Sequence, residues 1–247
     1  MSREFYGQHC SVCADPGSWR RPEPPLVSRE HILHRVRTAI GRSAGQPPDA
    51  APPVRIRVPG EQPGVPVPAR VSARVSTMLA RVEALAGKTY HAATPEDARA
   101  FVAAAIAGKT ALASNAPFLI ECGIANLPGV RTGIADREEL RECCSTVDIG
   151  ITGADYALAD TGTLVMLSSR QEARLISLLP PAHIAVVPSE RILSGLDELF
   201  SILPNAAEQT SSMVLITGPS RTADIEQILV RGVHGPGEIT VVAVGRE

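Results

Sequence analysis

The sequence predicts an α/β fold: a mostly parallel, Rossmann-like sheet with helices on both faces and a small antiparallel β insert. Three observations carry this. From Val71 onward, helical stripes of apolar residues alternate with short β-rich runs, the pattern of a sheet covered on both faces. Two helices open with capping signals, Thr94-Pro95-Glu96-Asp97 and Asp136-Arg137-Glu138-Glu139. Between residues 148 and 187 the rhythm changes: β-rich runs follow one another without helices, which suggests hairpins rather than a further βαβ unit.

The elements follow in order. Residues 1–27 have no period and read as an extension, disordered or preceding the true start. Residues 28–45 hold a helix with Ile32, Leu33, Val36 and Ile40 on one stripe and Ser28 placed to cap it. Residues 46–70 are rich in proline and glycine, which forbids regular hydrogen bonding and marks a linker or surface strap. Residues 71–247 form the main domain. There, Val71, Val75, Met78, Leu79, Val82 and Leu85 make a helix ending at Gly87, and Thr89–Ala92 a strand. The helix capped at Thr94 buries Phe101, Val102, Ala105 and Ile106 and stops at Gly108. Thr110–Ser114 is a strand and Pro117–Cys122 a helical turn. The helix from Asp136 runs through Leu140 and Cys143 to Val147. Asp148–Thr152, Thr163–Leu167, Leu175–Leu178 and His183–Val187 read as strands. A helix at Ser194–Leu203, a strand at Met213–Thr217, a helix at Thr222–Arg231 and a strand at Ile239–Val244 complete the chain.

Composition narrows the function. With 44% hydrophobic and 20% charged residues the chain can bury a full-sized core. Its net charge is −2 and no basic run or aromatic-basic cluster stands out, so no nucleic-acid partner is expected. No apolar run is long enough to span a bilayer, and no apolar segment near the start resembles a signal peptide. A cytoplasmic protein is expected, and five cysteines fit a reducing compartment. Lys88 and Lys109 are the only lysines against 22 arginines, a bias typical of GC-rich bacterial coding.

Several local motifs fail on context. Gly87-Lys88-Thr89 and Gly108-Lys109-Thr110 imitate a P-loop, but each runs from helix into strand and lacks the earlier glycine, so both read as helix-ending glycines. Asp160-Thr161-Gly162-Thr163 matches an aspartic-protease triplet, yet that chemistry needs two such aspartates in an all-β setting; a turn entering a strand accounts for it. Cys10 and Cys13 lack two nearby ligands for a closed metal site, and Cys143 falls in register with core positions. No metal site is assigned.

The segment from Thr217 to Asp224 is the best candidate for a site. It follows an apolar strand and opens the predicted helix, where free N–H groups and the helix dipole favour an anion. Ser220 and Thr222 add hydroxyls and Arg221 a bidentate partner for a carboxylate. Asp224 and Glu226 oppose a polyanion, and simple capping by Ser220 or Thr222 explains the same residues. Both readings stand at this level. In Gly232-Val233-His234-Gly235-Pro236-Gly237 the turn accounts for everything except His234.

Taken together, Asp148–Leu164, Pro180–Ile192 with Val186-Val187-Pro188-Ser189-Glu190, Thr217–Glu226 and Gly232–Pro236 resemble the LUD, or lactate-utilisation, domain over roughly Val71 to the end. The resemblance implies a fold like that of the ribose-phosphate isomerase, glucosamine-phosphate isomerase and CoA-transferase group. It also implies a role in oxidising L-lactate to pyruvate alongside iron–sulfur partner proteins. This chain lacks the clustered cysteines of such a centre, so no cofactor is expected on it. The expected ligand is a small carboxylate or anion. The candidate contact residues are Thr152, Gly153, Asp155, Asp160, Thr161, Gly162, Gly218, Ser220, Arg221, Thr222, Asp224 and His234. No catalytic residue comes with the resemblance, and homo-oligomerisation is left open. The alternative is a free-standing enzyme acting on an activated carboxylate or sugar phosphate, an idea that fold analogy alone carries.

Overall fold

The computed structural model describes residues 28–39, 41–42, 67–223 and 229–245. The chain divides into two compact units, 1–54 and 55–247. In the first, helix α1 (Arg29–Ala39) buries none of its residues, and Ser28 accepts the His31 N–H at 3.2 Å, the cap its position predicts.

In the second unit the elements run α2 (Val67–Ala84), β1 (Lys88–Ala92), α3 (Pro95–Ala105), β2 (Ala111–Ala113), α4 (Pro117–Glu121), β3 (Val130–Arg131), α5 (Arg137–Thr146) and β4 (Ile149–Gly153). There follow β5 (Tyr156–Leu158), β6 (Thr163–Leu167), α6 (Arg174–Leu178), β7 (Ala182–Pro188), β8 (Ile192–Leu193), α7 (Leu196–Ile202), α8 (Ala206–Gln209), β9 (Met213–Ile216), β10 (Arg221–Ala223), β11 (Leu229–Arg231) and β12 (Glu238–Val244). Helix α2 thus begins inside the stretch read as linker, with Pro68 in its first turn, where the missing N–H costs nothing.

Six strands form one parallel sheet in the order β1-β12-β7-β4-β2-β3. One face, with Ala111, Ala113, Ile149, Ile151, Ile184, Val186, Val242 and Val244, is covered by Val102 of α3 and Leu119 of α4. The opposite face is shared. Val75, Met78 and Val82 of α2, with the second sheet, cover Ala185, Val187, Val241 and Ala243, while Cys143 and Cys144 of α5 and Ile176 of α6 cover Leu112. Both cysteines are therefore core. The second sheet, β8-β5-β6-β9, is antiparallel except where β5 meets β8, and answers to the predicted insert.

The capping expectations hold: Thr94 accepts the Asp97 N–H, and Asp136 accepts those of Glu138 and Glu139. Gly108 is left-handed at φ +73. At the end of α2, however, Ala86 takes that conformation (φ 65), and Gly87 is there because a Cβ would lie 2.6 Å from Val82 Cγ1.

Three expectations are corrected. Leu175–Leu178 is helix, not strand: α6 lies so close to β4 that a Cβ on Gly150 would meet the Ile176 carbonyl oxygen at 2.0 Å, and Ile176 packs into the α5 cluster. That helix leads into β7, which consequently lies in the middle of the parallel sheet rather than in the insert. Met213–Ile216 joins the second sheet, antiparallel to β6, and not the parallel one. Finally, the described ends of Thr222–Arg231 are strand, not helix. Arg221–Ala223 pairs antiparallel with Leu229–Arg231, and the Ser220 and Gly232 N–H groups bond to the Pro236 and Ser220 carbonyls, tying the hairpin to the turn before β12. The β-branched Thr222 and Val230, paired across the hairpin, suit a ribbon better than a helix.

Candidate functional site

In an open parallel sheet, ligands bind beyond the carboxyl ends of the strands, where successive connections leave in opposite directions. Here that place is between β2 and β4. From β2 the chain moves outward to β3, and from β4 it moves the other way, to β7 and β12. A cleft of about 560 Å3 opens there, lined by residues following β2 (Ala116, Pro117), the end of β4 and the turn after it (Gly153, Ala154, Asp155), the end of β7 and the turn after it (Pro188, Glu190, Arg191) and Glu172 from the loop before α6.

Local bonding sets these groups in place. Ser114 N–H donates to the Ile151 carbonyl and Ala154 N–H to that of Val186, carrying the strand register into the cleft wall. The loop carrying Glu172 turns on Ser169, whose Oγ accepts the Gln171 and Glu172 N–H groups, and it is fastened by Asn115 N–H donating to the Gln171 carbonyl. Glu172 is thereby brought against Ser114, whose hydroxyl donates to Oε2 at 2.8 Å. The nearby Gly153 backbone also favours the charged form of this carboxyl. Gly153 itself must be glycine, since a Cβ would sit 2.9 Å from that of Ala116.

Glu172 is 7% exposed, and its Oε1 is buried with no hydrogen-bond partner. Burial, reinforced by the nearby charge of Asp155, pushes its carboxyl up to about 8, so it is neutral at pH 7. With Oε2 accepting the Ser114 hydroxyl, the proton belongs on Oε1. Burial also raises Asp155, which accepts the Leu167 N–H at 2.7 Å and feels Arg191. The Arg191 guanidinium donates to the Asp155 carbonyl at 3.3 Å and lies 5.8 Å from the centre of the Tyr156 ring, which holds it beside the cleft. Just below, Thr152 and His183 hydrogen-bond at 2.8 Å in full burial, and burial lowers the imidazole to about 4.

The sequence-derived candidates divide into three groups. Gly153 and Asp155 line the cleft, and Thr152 lies beneath it. Asp160, Thr161 and Gly162 do not reach it: they form the turn from β5 to β6, where Thr161 bonds to Asp160 and to Thr163, and Gly162 (φ +69) packs against Arg81. Gly218, Ser220, Arg221, Thr222 and His234 lie at the other end of the sheet, beside the start of β12. Arg221 donates to the Leu85 carbonyl, and Gly218 abuts the Leu85 side chain. Asp224 lies outside the described residues. No helix starts at Thr222, so no helix dipole favours an anion there. Glu172, Arg191 and Ser114 escape the sequence reading. The usable signal is positional, because Arg191 follows the apolar run of β7 and Ser114 that of β2, whereas nothing in Ser169-Arg170-Gln171-Glu172 distinguishes it from any polar loop.

Among the described residues, no group of three or more His, Cys, Asp or Glu side chains could hold a metal ion. No described helix is long and apolar enough to cross a membrane.

A family model of the LUD domain matches residues 75–244. The chain is similar to Lactate utilization protein C 1 of Bacillus mycoides, 40% identical over 108 residues, covering 42% of this chain and 46% of that protein. It is also similar to Lactate utilization protein C of Halalkalibacterium halodurans (42% over 103 residues; 40% and 45%) and of Bacillus subtilis (38% over 111 residues; 43% and 46%). Each match spans a little under half of the relative's length. Among solved structures, a DUF162 family protein from Deinococcus radiodurans superimposes with a TM-score of 0.54 at 18% identity, covering 71% of this chain and 98% of that one, a likeness of fold.

Proposed function

The chain belongs to the LUD domain family, and from that premise we propose that it serves lactate utilisation as a subunit without a redox centre, acting with iron–sulfur partner proteins and binding a small carboxylate. The observation that carries this is the identity of about 40% to proteins named for lactate utilisation, over a segment of about a hundred residues. Two physical features support it. Among the described residues, the cysteines Cys122, Cys143 and Cys144 are spent in two separate core clusters, far from the arrangement a cluster-binding centre requires. In addition, with Glu172 neutral, the cleft still carries Glu121, Asp155 and Glu190 against a single arginine. That surplus of carboxyl groups repels polyphosphates, which speaks against a sugar phosphate or a CoA thioester as ligand.

The test is genetic and biochemical. Deleting the gene should abolish growth on L-lactate while leaving growth on glucose intact, and a tagged copy that restores growth should co-purify with iron-containing proteins. Normal growth of the deletion strain on L-lactate refutes the role.

A further inference from the structure

The cleft between β2 and β4 offers two kinds of group in two places. At its mouth stands one cation, Arg191, braced by the Asp155 carbonyl and the Tyr156 ring. Deeper, the carboxyl groups of Asp155 and Glu172 stand close enough to feel each other, and Oε1 of Glu172 is buried with nothing to bond to. A buried polar group without a partner is costly, and in a native protein it calls for an explanation such as a ligand or a water. A ligand that matches this arrangement carries one negative charge for the guanidinium. Next to that charge it carries a group able both to donate and to accept, for the carboxyl pair.

We propose that this cleft is the binding site for a small 2-hydroxy monocarboxylate, with the ligand carboxylate on Arg191 and its hydroxyl between Asp155 and Glu172. The inference rests on the lactate-utilisation reading for the choice among such acids, but the site itself follows from the geometry. The ligand hydroxyl donates to the Asp155 carboxylate and accepts from the protonated Oε1 of Glu172. Glu172 is kept neutral by its burial, so a monoanion is admitted. The acidic residues Glu121 and Glu190 at the rim disfavour a second negative charge. Ser114 is a positioning residue: its hydroxyl holds Oε2 and so fixes the orientation of the carboxyl.

The experiment is calorimetric titration of L-lactate, propionate and malate into the full chain, with each variant first shown to melt as the wild type does. L-lactate should bind. Propionate, lacking the hydroxyl, and malate, with its second carboxylate, should each bind at least roughly tenfold more weakly. Arg191→Gln and Asp155→Asn should each weaken L-lactate by roughly tenfold or more, and Arg221→Gln should leave it unchanged. Raising the pH through about 8 ionises Glu172, so affinity should fall about tenfold per unit above that point, with a proton taken up on binding. Absence of saturable L-lactate binding, equal binding of propionate, or loss of binding in Arg221→Gln but not Arg191→Gln overturns the site. The two proposals fail separately. Growth on L-lactate lost in the deletion strain but restored by Arg191→Gln removes the site and leaves the role, whereas specific binding with normal growth of the deletion strain removes the role and leaves the site.

Discussion

Glu172→Gln should make the protein more stable, and increasingly so as the pH rises. In the unfolded chain this carboxyl loses its proton near 4.5, whereas in the fold it holds it to about 8. Between those values the folded state binds the extra proton, so stability falls with rising pH. The penalty is absent below pH 4.5 and complete above pH 8. Every pH unit crossed in that interval costs about 1.4 kcal/mol, which gives about 3 kcal/mol at pH 7 and about 5 above pH 8, upper bounds because entry of water relieves part of the cost. Glutamine retains the shape and an oxygen for the Ser114 hydroxyl at 2.8 Å, but cannot ionise. Urea unfolding of both proteins between about pH 5 and pH 9 measures the effect, and other titrating groups cancel in the difference. The two curves should nearly meet at the acid end and separate toward the alkaline end. A constant difference, or a variant weaker than wild type at pH 8, would falsify the reasoning.

His183 should act at the opposite end of the scale. Its imidazole is lowered from 6.5 to about 4, so its burial is harmless above pH 6.5 and costs about 3 kcal/mol by pH 4; His183→Gln should flatten the acid limb of the stability profile, as urea midpoints from about pH 4 to pH 7 will show. Gly150→Ala should destabilise by about 3 kcal/mol, the upper part of the range for overpacking, because its Cβ falls 2.0 Å from the Ile176 carbonyl oxygen. Gly129→Ala, left-handed at φ +83 but facing open space, should cost only about 1 kcal/mol, and equal losses in thermal melts of the two would refute the packing account. The purified chain should carry no stoichiometric iron, and a visible absorption band at about one cluster per chain would move electron transfer onto it.

Local signals are legible wherever they act within one element. The hydroxyl of Thr94 and the carboxylate of Asp136 cap their helices because capping depends on residues three apart. Legibility ends where a partner distant in sequence decides. Arg174–Leu178 is helical because Gly150 leaves room for it, and Gly150 lies on another strand. The apolar spacing over Thr222–Arg231 fits a helix or a ribbon, and the bonds from Ser220 and Gly232 settle its described ends for the ribbon. The cleft shows the same division. Gly153 and Asp155 fall within a contiguous motif and are visible there, whereas Glu172 owes its character to burial against Ser114, which no sequence window contains.

The position of β12 has a consequence for how the protein is made. This strand lies between β1 and β7, its seven residues in register with β7 and five of them with β1, yet it is the last of the described strands to be synthesised. Until it emerges from the ribosome, β1 has no neighbour in the sheet and β7 presents an unpaired edge of apolar residues, open to mispairing with other chains. A premature stop before residue 238, or a lesion that shortens the transcript, therefore does not yield a slightly weakened protein. It yields a chain whose central layer cannot close, a natural target for proteolysis and chaperone capture.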